Sequence, residues 1–156
     1  VASHAPFDAT IEIDGERIHS GDVSLLALAN GCFFGAGMRV APEASVDDGL
    51  LEVVLARGLS RREIVTHLPA FYLGRHGRHP RVSFHAARRV EVVGLAGDAA
   101  VEIDGEGGYG LPLRAECVPG ALRVFAPEVT IPVLRPSRVT VAPIMSRPIA
   151  LRRERG

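Results

Sequence analysis

Short segments that alternate between apolar and polar residues dominate the chain and predict a mostly β structure. The clearest is "ATIEID", residues 9–14, in which Ile11 and Ile13 alternate with polar residues as in a half-buried strand. Similar segments follow, separated by Gly, Pro and Asp: "VSLLALAN" (23–30), "LLEVVLA" (50–56), "RVSFHA" (81–86), "RVEVVGL" (89–95), "AAVEID" (99–104), "PLRAECV" (112–118) and "ALRVFA" (121–126). Because "VSLLALAN" is apolar on both faces, we expect it to be a central strand.

One segment has helical rather than strand spacing. Ser60 and Glu63, three residues apart, form a capping-box pattern that predicts a helix start, and Gly74 supplies a stop. The apolar residues between them recur at helical spacing: Ile64, Leu68, Phe71 and Tyr72. We therefore predict one principal helix over about residues 61–74, which Pro69 kinks or breaks. The expected fold class is mainly β, an antiparallel β-sandwich-like lobe with this one helix.

Composition is that of an ordinary globular protein. The 156 residues are 47% hydrophobic and 23% charged, which supplies enough apolar mass for a core. The formal net charge is zero, so the overall electrostatic potential does not favour nucleic-acid binding. No apolar run is long enough to span a bilayer. Cys32 and Cys117 lack the spacing of a zinc site or a disulfide framework, and we expect reduced, buried thiols.

The carboxy-terminal segment differs from the rest in composition. Residues 128–156 are rich in proline and carry six arginines against two glutamates, a local charge of +4. The first 127 residues carry −4, from twelve arginines against sixteen acids. We expect a main lobe over residues 1–127 and a Pro/Arg-rich extension over residues 128–156. Two forms of the extension are open, namely short edge strands, which tolerate proline, or an extended arm.

The motif "EIDGE" occurs twice, at residues 12–16 and 102–106. Asp-Gly after an alternating strand predicts a type I′ hairpin, because both central residues need positive φ. Each copy is then either a solvated turn or a strand end that offers a carboxylate as a general base. Nothing in the local sequence prefers Glu106 to Glu16.

Two further segments carry candidate chemistry. "SVDDGL", residues 45–50, places two like charges side by side, which suits either a hard cation bound by carboxylate and carbonyl oxygens or an Asx-type turn. In "GRHGRHPRVSFHAARR", residues 74–89, His76 and His79 have the spacing of metal ligands but no acidic or cysteine partner nearby in sequence. The arginines of that segment either contact phosphate or lipid head groups or belong to a solvated basic loop.

The glycine-rich stretch "ANGCFFGAGMRVAPEA", residues 29–44, does not fit a phosphate-binding loop well. Such a loop needs a helix N-terminus directly after it, whereas a strand pattern follows here. The glycines therefore favour tight strand crossovers.

Four motifs in this order resemble one known family: "NGCFFGAGMRVAPEASVDDGLLEVVL", "YLGRHGRHP", "VEIDGE" and "VPGALRVFAP". They are similar to the carboxy-terminal lobe of the diacylglycerol kinase-like lipid kinases, which include the sphingosine kinases, over about residues 7–127. The resemblance implies an enzyme that transfers the γ-phosphoryl of ATP to a diacylglycerol-like or sphingoid hydroxyl. The family's amino-terminal nucleotide-binding lobe carries a Gly-Gly-Asp-Gly-Thr signature that is absent from this chain. We therefore expect one half of an enzyme, inactive alone.

The resemblance also implies site residues. Mg²⁺ is expected on the Asp48 carboxylate and the backbone carbonyls of Ser45 and Leu50, with ATP bound mainly by the absent lobe. Glu106 is the expected proton acceptor, although an acid of the absent lobe has that role in some relatives. Ala36 departs from the family pattern, in which a glycine stands at this position.

Partners and location follow from the same resemblance. The expected partners are the lipid substrate, the nucleotide-binding lobe, a transient membrane surface and a second copy in a homodimer, with no nucleic acid. The expected location is cytoplasmic and peripheral at the inner membrane surface. The alternative function is a non-catalytic β-sandwich binding module for lipid or a partner protein.

Overall fold

The computed structural model describes residues 6–96 and 99–125. The chain divides into a compact unit, Val1–Arg123, and a second unit, Val124–Gly156. The predicted extension, residues 128–156, lies outside the described residues. The elements are β1 (Phe7–Ile13), β2 (Glu16–Val23), β3 (Leu25–Ala29), β4 (Leu51–Ala56), α1 (Arg61–Tyr72), a 3-10 helix (His76–Arg78), β5 (Val82–Ala87), β6 (Arg89–Ala96), β7 (Val101–Ile103), β8 (Glu106–Tyr109) and β9 (Leu113–Glu116).

The strands form three antiparallel sheets. The largest has the order β2-β1-β6-β9, the second has the order β3-β4-β5, and β7 and β8 form a separate hairpin. Both "EIDGE" copies lie at hairpin turns, with Ile13 opposite Glu16 in one and Ile103 opposite Glu106 in the other. Together with the single α-helix of the described residues, this arrangement confirms the predicted mainly β, sandwich-like lobe.

The main core lies between the two larger sheets. Ile11, Val90 and Val92 from β1 and β6 are buried in one cluster with Val53 and Leu55 from β4. Because side chains alternate along a strand, the next residues of β4 face the opposite side of their sheet. There they pack in a second cluster with Phe71 of α1. The middle strand β4 is therefore covered on both faces.

Helix α1 begins and ends as its capping residues predict. The backbone N–H of Ser60 donates to Glu63 Oε2 at 2.8 Å, and the N–H of Glu63 donates back to Ser60 Oγ at 3.3 Å. The helix ends at Tyr72, and Gly74 adopts φ +65°, a left-handed conformation that glycine tolerates. The helix is not broken at Pro69, because this proline lies in the last turn and only three helical residues follow it.

Three expectations about the strands and cysteines need correction. β3 is an edge strand of its sheet rather than a central one, and it starts only at Leu25. Residues 121–125 contain no strand, although "ALRVFA" predicted one. Cys32 and Cys117 are free thiols, as expected, but both are half-buried rather than buried.

Candidate functional site

The loop that holds the two adjacent aspartates enters β4 through an Asx-type turn. The backbone N–H of Leu50 donates to Asp48 Oδ1 at 2.9 Å. Gly49, between them, has φ +74°, which a residue with a Cβ adopts only with strain. Oδ2 of Asp48 makes no hydrogen bond to any of the described residues. The turn therefore fixes one carboxylate oxygen and leaves the other available.

Asp47 has a different role from its neighbour. The hydroxyl of Ser45 donates to Asp47 Oδ1 at 2.5 Å. This hydrogen bond holds Ser45, one of the residues expected to offer a carbonyl to Mg²⁺, in a closed turn. The loop is thus braced twice, by Asp47 toward its start and by Asp48 toward its end.

Glu52 is a member of this acidic region that the sequence patterns did not reveal. It lies on β4, on the face opposite the main core, and is only partly exposed. Burial, as the largest cause, together with the nearby carboxylates of Glu43 and Asp48 raises the pKa of the Glu52 carboxyl to about 7. The carboxylates of Glu43 and Asp48 thus lie near enough to Glu52 to disfavour its charged form, in addition to the effect of burial.

A metal site here would depend on few side chains. Within residues 6–96 and 99–125, no three His, Cys, Asp or Glu side chains are placed to hold a metal ion together. The donor set that the family resemblance implies is one carboxylate, from Asp48, plus two backbone carbonyls, from Ser45 and Leu50. Mg²⁺ commonly binds proteins through one or two carboxylates and keeps several waters, so this set fits Mg²⁺.

Glu106 is the first residue of β8 in the separate β7–β8 hairpin, and it is exposed. The turn before it is of the expected type, since Asp104 has φ 50° and Gly105 has φ 89°. Its carboxylate makes no hydrogen bond or ion pair with any residue in the described part of the chain. Glu106 and Asp48 therefore share no hydrogen-bond network in this lobe.

The first "EIDGE" copy has the same turn but a structural role. Asp14 and Gly15 have φ 52° and 89°. The Asp14 carboxylate also accepts hydrogen bonds from the backbone N–H groups of Arg88, at 3.1 and 3.3 Å, and of Arg89, at 2.8 Å. Asp14 thus ties the β1–β2 turn to the β5–β6 junction. No local pattern distinguishes Asp14 from Asp104, because the donors are more than 70 residues away.

The histidines with metal-like spacing have other partners. His76 is buried, and its Nε2 bonds the Val40 carbonyl at 2.8 Å. Nδ1 of His79 accepts a hydrogen bond from the backbone N–H of Arg81 at 3.2 Å. The metal alternative for this pair therefore finds no support among the described residues. None of the helices in the described ranges is long and apolar enough to cross a membrane.

Comparison with known proteins gives one consistent family. Residues 1–126 match the model of the YegS C-terminal NAD kinase beta sandwich-like domain. The chain is 29% identical over 125 residues to a diacylglycerol kinase of Mycobacterium tuberculosis, a match that covers 79% of the chain and 39% of that protein. It is 33% identical over 139 residues to a probable lipid kinase YegS-like protein of Chromohalobacter salexigens, with 81% and 40% covered.

The fold is also found in a known crystal structure. A diacylglycerol kinase from Bacillus anthracis superposes with a TM-score of 0.57 at 21% identity, over 76% of this chain and 40% of that one. The chain thus spans about two fifths of the length of these relatives. Since the family model covers most of the residues, the chain belongs to the YegS C-terminal domain family, the β-sandwich domain of the diacylglycerol kinase and YegS-like lipid kinases.

Proposed function

We propose that this chain is the lipid-side lobe of an ATP-dependent lipid kinase, which transfers the γ-phosphoryl of ATP to the hydroxyl of a diacylglycerol-like or sphingoid lipid. The observation that supports this most is the family match, which extends over the loop of Asp48 and the hairpin of Glu106. Relatives over this region are named diacylglycerol kinase or lipid kinase.

In this proposal the loop at residues 45–50 binds Mg²⁺. Asp48 offers the carboxylate, and the carbonyls of Ser45 and Leu50 complete the protein ligands. The ion would supply positive charge to offset the phosphate charge that develops during transfer. The hydrogen bond from the backbone N–H of Leu50 orients the Asp48 carboxylate.

Glu106 is proposed to accept the proton of the lipid hydroxyl. Its carboxylate is exposed at the start of β8, where no described side chain competes for it. A general base must lie within hydrogen-bond reach of the hydroxyl that it deprotonates. The nucleotide-binding lobe and the lipid are the partners that would bring these groups together, and a transient membrane surface would supply the lipid.

The proposal is tested with the full-length gene product. Purified protein is assayed with γ-labelled ATP and mixed micelles of diacylglycerol or sphingosine, across a magnesium titration. We expect one of the two lipids to be phosphorylated, with activity that depends on magnesium. A full-length protein that phosphorylates neither lipid at any magnesium concentration, yet binds lipid vesicles, contradicts the kinase and favours the non-catalytic binding module.

A further inference from the structure

A basic groove lies between the end of α1 and the 3-10 helix, away from the acidic loop in sequence. It is a cavity of about 460 Å³, and its lining includes Arg75, Arg78, His67, His79 and His76. None of its lining residues is acidic. Its volume is that of a small-ligand site rather than of a single water.

The two arginines of the groove are not neutralised. Both Arg75 and Arg78 are exposed, and neither makes an ion pair or a side-chain hydrogen bond with a residue of the described ranges. Other arginines of the lobe do pair with acids, as Arg89 does with Glu91. The acid of α1, Glu63, pairs with Arg81, so it does not offset the charge of the groove.

Two histidines in the lining are oriented by their Nδ1 atoms. Nδ1 of His79 accepts from the backbone N–H of Arg81, so its Nε2 carries the proton of the neutral ring and is a donor. Nδ1 of His67 donates to the Glu63 carbonyl at 2.8 Å, which leaves its Nε2 unengaged. The two rings pack edge to face, with their centroids 4.9 Å apart.

His76 is the rigid part of the groove lining. It is only 1% exposed and stacks on Phe71 with ring centroids 4.3 Å apart. Its Nε2 is held by the Val40 carbonyl, whereas Nδ1 makes no hydrogen bond of acceptable geometry. These contacts fix the His76 ring in the lining of the groove.

The backbone around the groove is also preorganised. The N–H of Arg75 donates to the Ala70 carbonyl at 2.8 Å, and the N–H of Arg78 donates to the Arg75 carbonyl at 3.2 Å. The carbonyls at the end of a helix carry partial negative charge, which disfavours an anion. The backbone N–H of Leu73 donates to the Pro69 carbonyl, and that of Gly74 donates to the Phe71 carbonyl. These hydrogen bonds partly compensate the negative charge at the end of α1.

We propose that this groove binds a phosphate group, as a free phosphate or as the head group of an anionic lipid. Arginine guanidinium groups bind phosphate oxygens in pairs of charge-assisted hydrogen bonds. Arg75 and Arg78 flank the anchored His76 in sequence and line the same groove, and the Nε2–H of His79 adds a donor. The proposal goes beyond the kinase function and does not depend on it, since its test measures binding rather than turnover.

The test compares two double variants of the full 156-residue chain that lose the same charge. Arg75→Gln/Arg78→Gln removes the groove cations, whereas Arg61→Gln/Arg62→Gln removes two exposed arginines from the first turn of the same helix. A third variant, Arg75→Lys/Arg78→Lys, keeps the charge and loses the paired hydrogen bonds. Thermal melts show that each variant is folded.

Binding is measured in two arms. In the first, inorganic phosphate is titrated while amide NMR shifts of residues 75–79 are followed. In the second, flotation measures binding to phosphatidylcholine vesicles with and without phosphatidic acid. We expect the glutamine groove variant to bind about tenfold more weakly in at least one arm, because hydrogen bonds to charged groups are lost. The lysine variant should fall between it and the wild type, and the first-turn variant should bind like the wild type.

The two arms separate the sources of phosphate. Saturable shifts with inorganic phosphate indicate a soluble ligand, and an effect confined to phosphatidic acid vesicles indicates a lipid head group. Equal losses in the groove and first-turn variants would mean unspecific charge attraction and would overturn the proposal. Absence of binding by the folded wild-type chain in both arms would overturn it too.

Discussion

The backbone N–H of Leu50 and Oδ1 of Asp48 are joined by a hydrogen bond of 2.9 Å. The bond closes the turn that leads into β4, so the direction of the Asp48 carboxylate is set by the residue immediately before the lobe's most buried strand. Asp47, one residue earlier, is held by Ser45 instead. Two adjacent and chemically identical residues therefore have separable roles.

If the proposed function is right, Asp48→Asn in the full-length protein should weaken magnesium binding and lower turnover. The amide oxygen can still accept the Leu50 hydrogen bond, but a neutral oxygen is a poorer ligand for a hard cation. We expect the magnesium concentration for half-maximal activity to rise about tenfold or more, in line with the loss of a ligand-site contact. The measurement is lipid phosphorylation across a magnesium titration.

Asp47→Asn is the matched control for that variant. The asparagine oxygen can still accept from Ser45, so the turn stays closed and magnesium dependence should change little. Equal losses for the two substitutions would assign the cation to the pair rather than to Asp48. A magnesium titration unchanged by Asp48→Asn would remove this loop from the site.

Glu106→Gln in the full-length protein should reduce kcat by about 10²–10⁴-fold, the usual effect of losing a general base. Glu16→Gln is its control, because Glu16 has the same place in the first "EIDGE" hairpin. It should keep wild-type turnover. If both variants do so, the base belongs to the nucleotide-binding lobe, and Glu106 is a hairpin residue only.

Asp14→Ala should destabilise the lobe more than Asp104→Ala does. Both substitutions place alanine at a positive φ, so the backbone strain is common to the two. Asp14→Ala in addition removes the acceptor of the Arg88 and Arg89 N–H groups. We expect a difference of about 1–2 kcal/mol in the free energy of unfolding from those hydrogen bonds, measured by urea denaturation. Equal losses would mean that the exposed Asp14 bonds contribute nothing.

The sequence predicted β1 well and β3 only in part, for a physical reason. Alternation of Ile11 and Ile13 reports a strand with one buried face, which β1 has. In β3, apolar residues on both faces predict a central strand. Instead, Leu26 and Leu28 pack toward the main core and Leu25 packs toward the α1 side. Apolar residues on both faces of a strand therefore show that other elements cover both faces. They do not show whether the strand is at the centre or at the edge of its sheet.

Some site residues could be predicted from their sequence neighbours, and others have roles that depend on contacts made only in the folded structure. The Asp48 turn and both Asp-Gly turns are local, because each depends on neighbours within a few residues. Glu52 had no local signal, since its raised pKa depends first on burial in the fold and only then on the carboxylates of Glu43 and Asp48. Asp14 likewise gained its role only when the fold brought Arg88 and Arg89 to it.

His76 gives the lobe a pH-dependent contribution to stability. Burial lowers the pKa of His76 below its ordinary value of 6.5, and the carbonyls of Val40 and Ala70 act in the opposite direction. The unfolded chain therefore binds a proton on this histidine at a higher pH than the folded chain. Stability from His76 is complete above the unfolded pKa and is lost as the pH falls below it.

His76→Gln should reduce the loss of stability between about pH 7.5 and pH 5.5. Glutamine does not titrate and can still donate to the Val40 carbonyl.

Other groups titrate in this range. Burial also lowers the pKa of His85, with the charge of Arg57 adding to the effect, whereas the raised pKa of Glu52 changes stability in the opposite direction. The free energy of unfolding is therefore measured by urea denaturation at both pH values and compared between variant and wild type. His85→Gln serves as a second variant. His76→Gln should be less stable than the wild type at the higher pH, with a smaller difference at the lower pH. A difference that is the same at both values would show that His76 does not titrate differently in the folded and unfolded states.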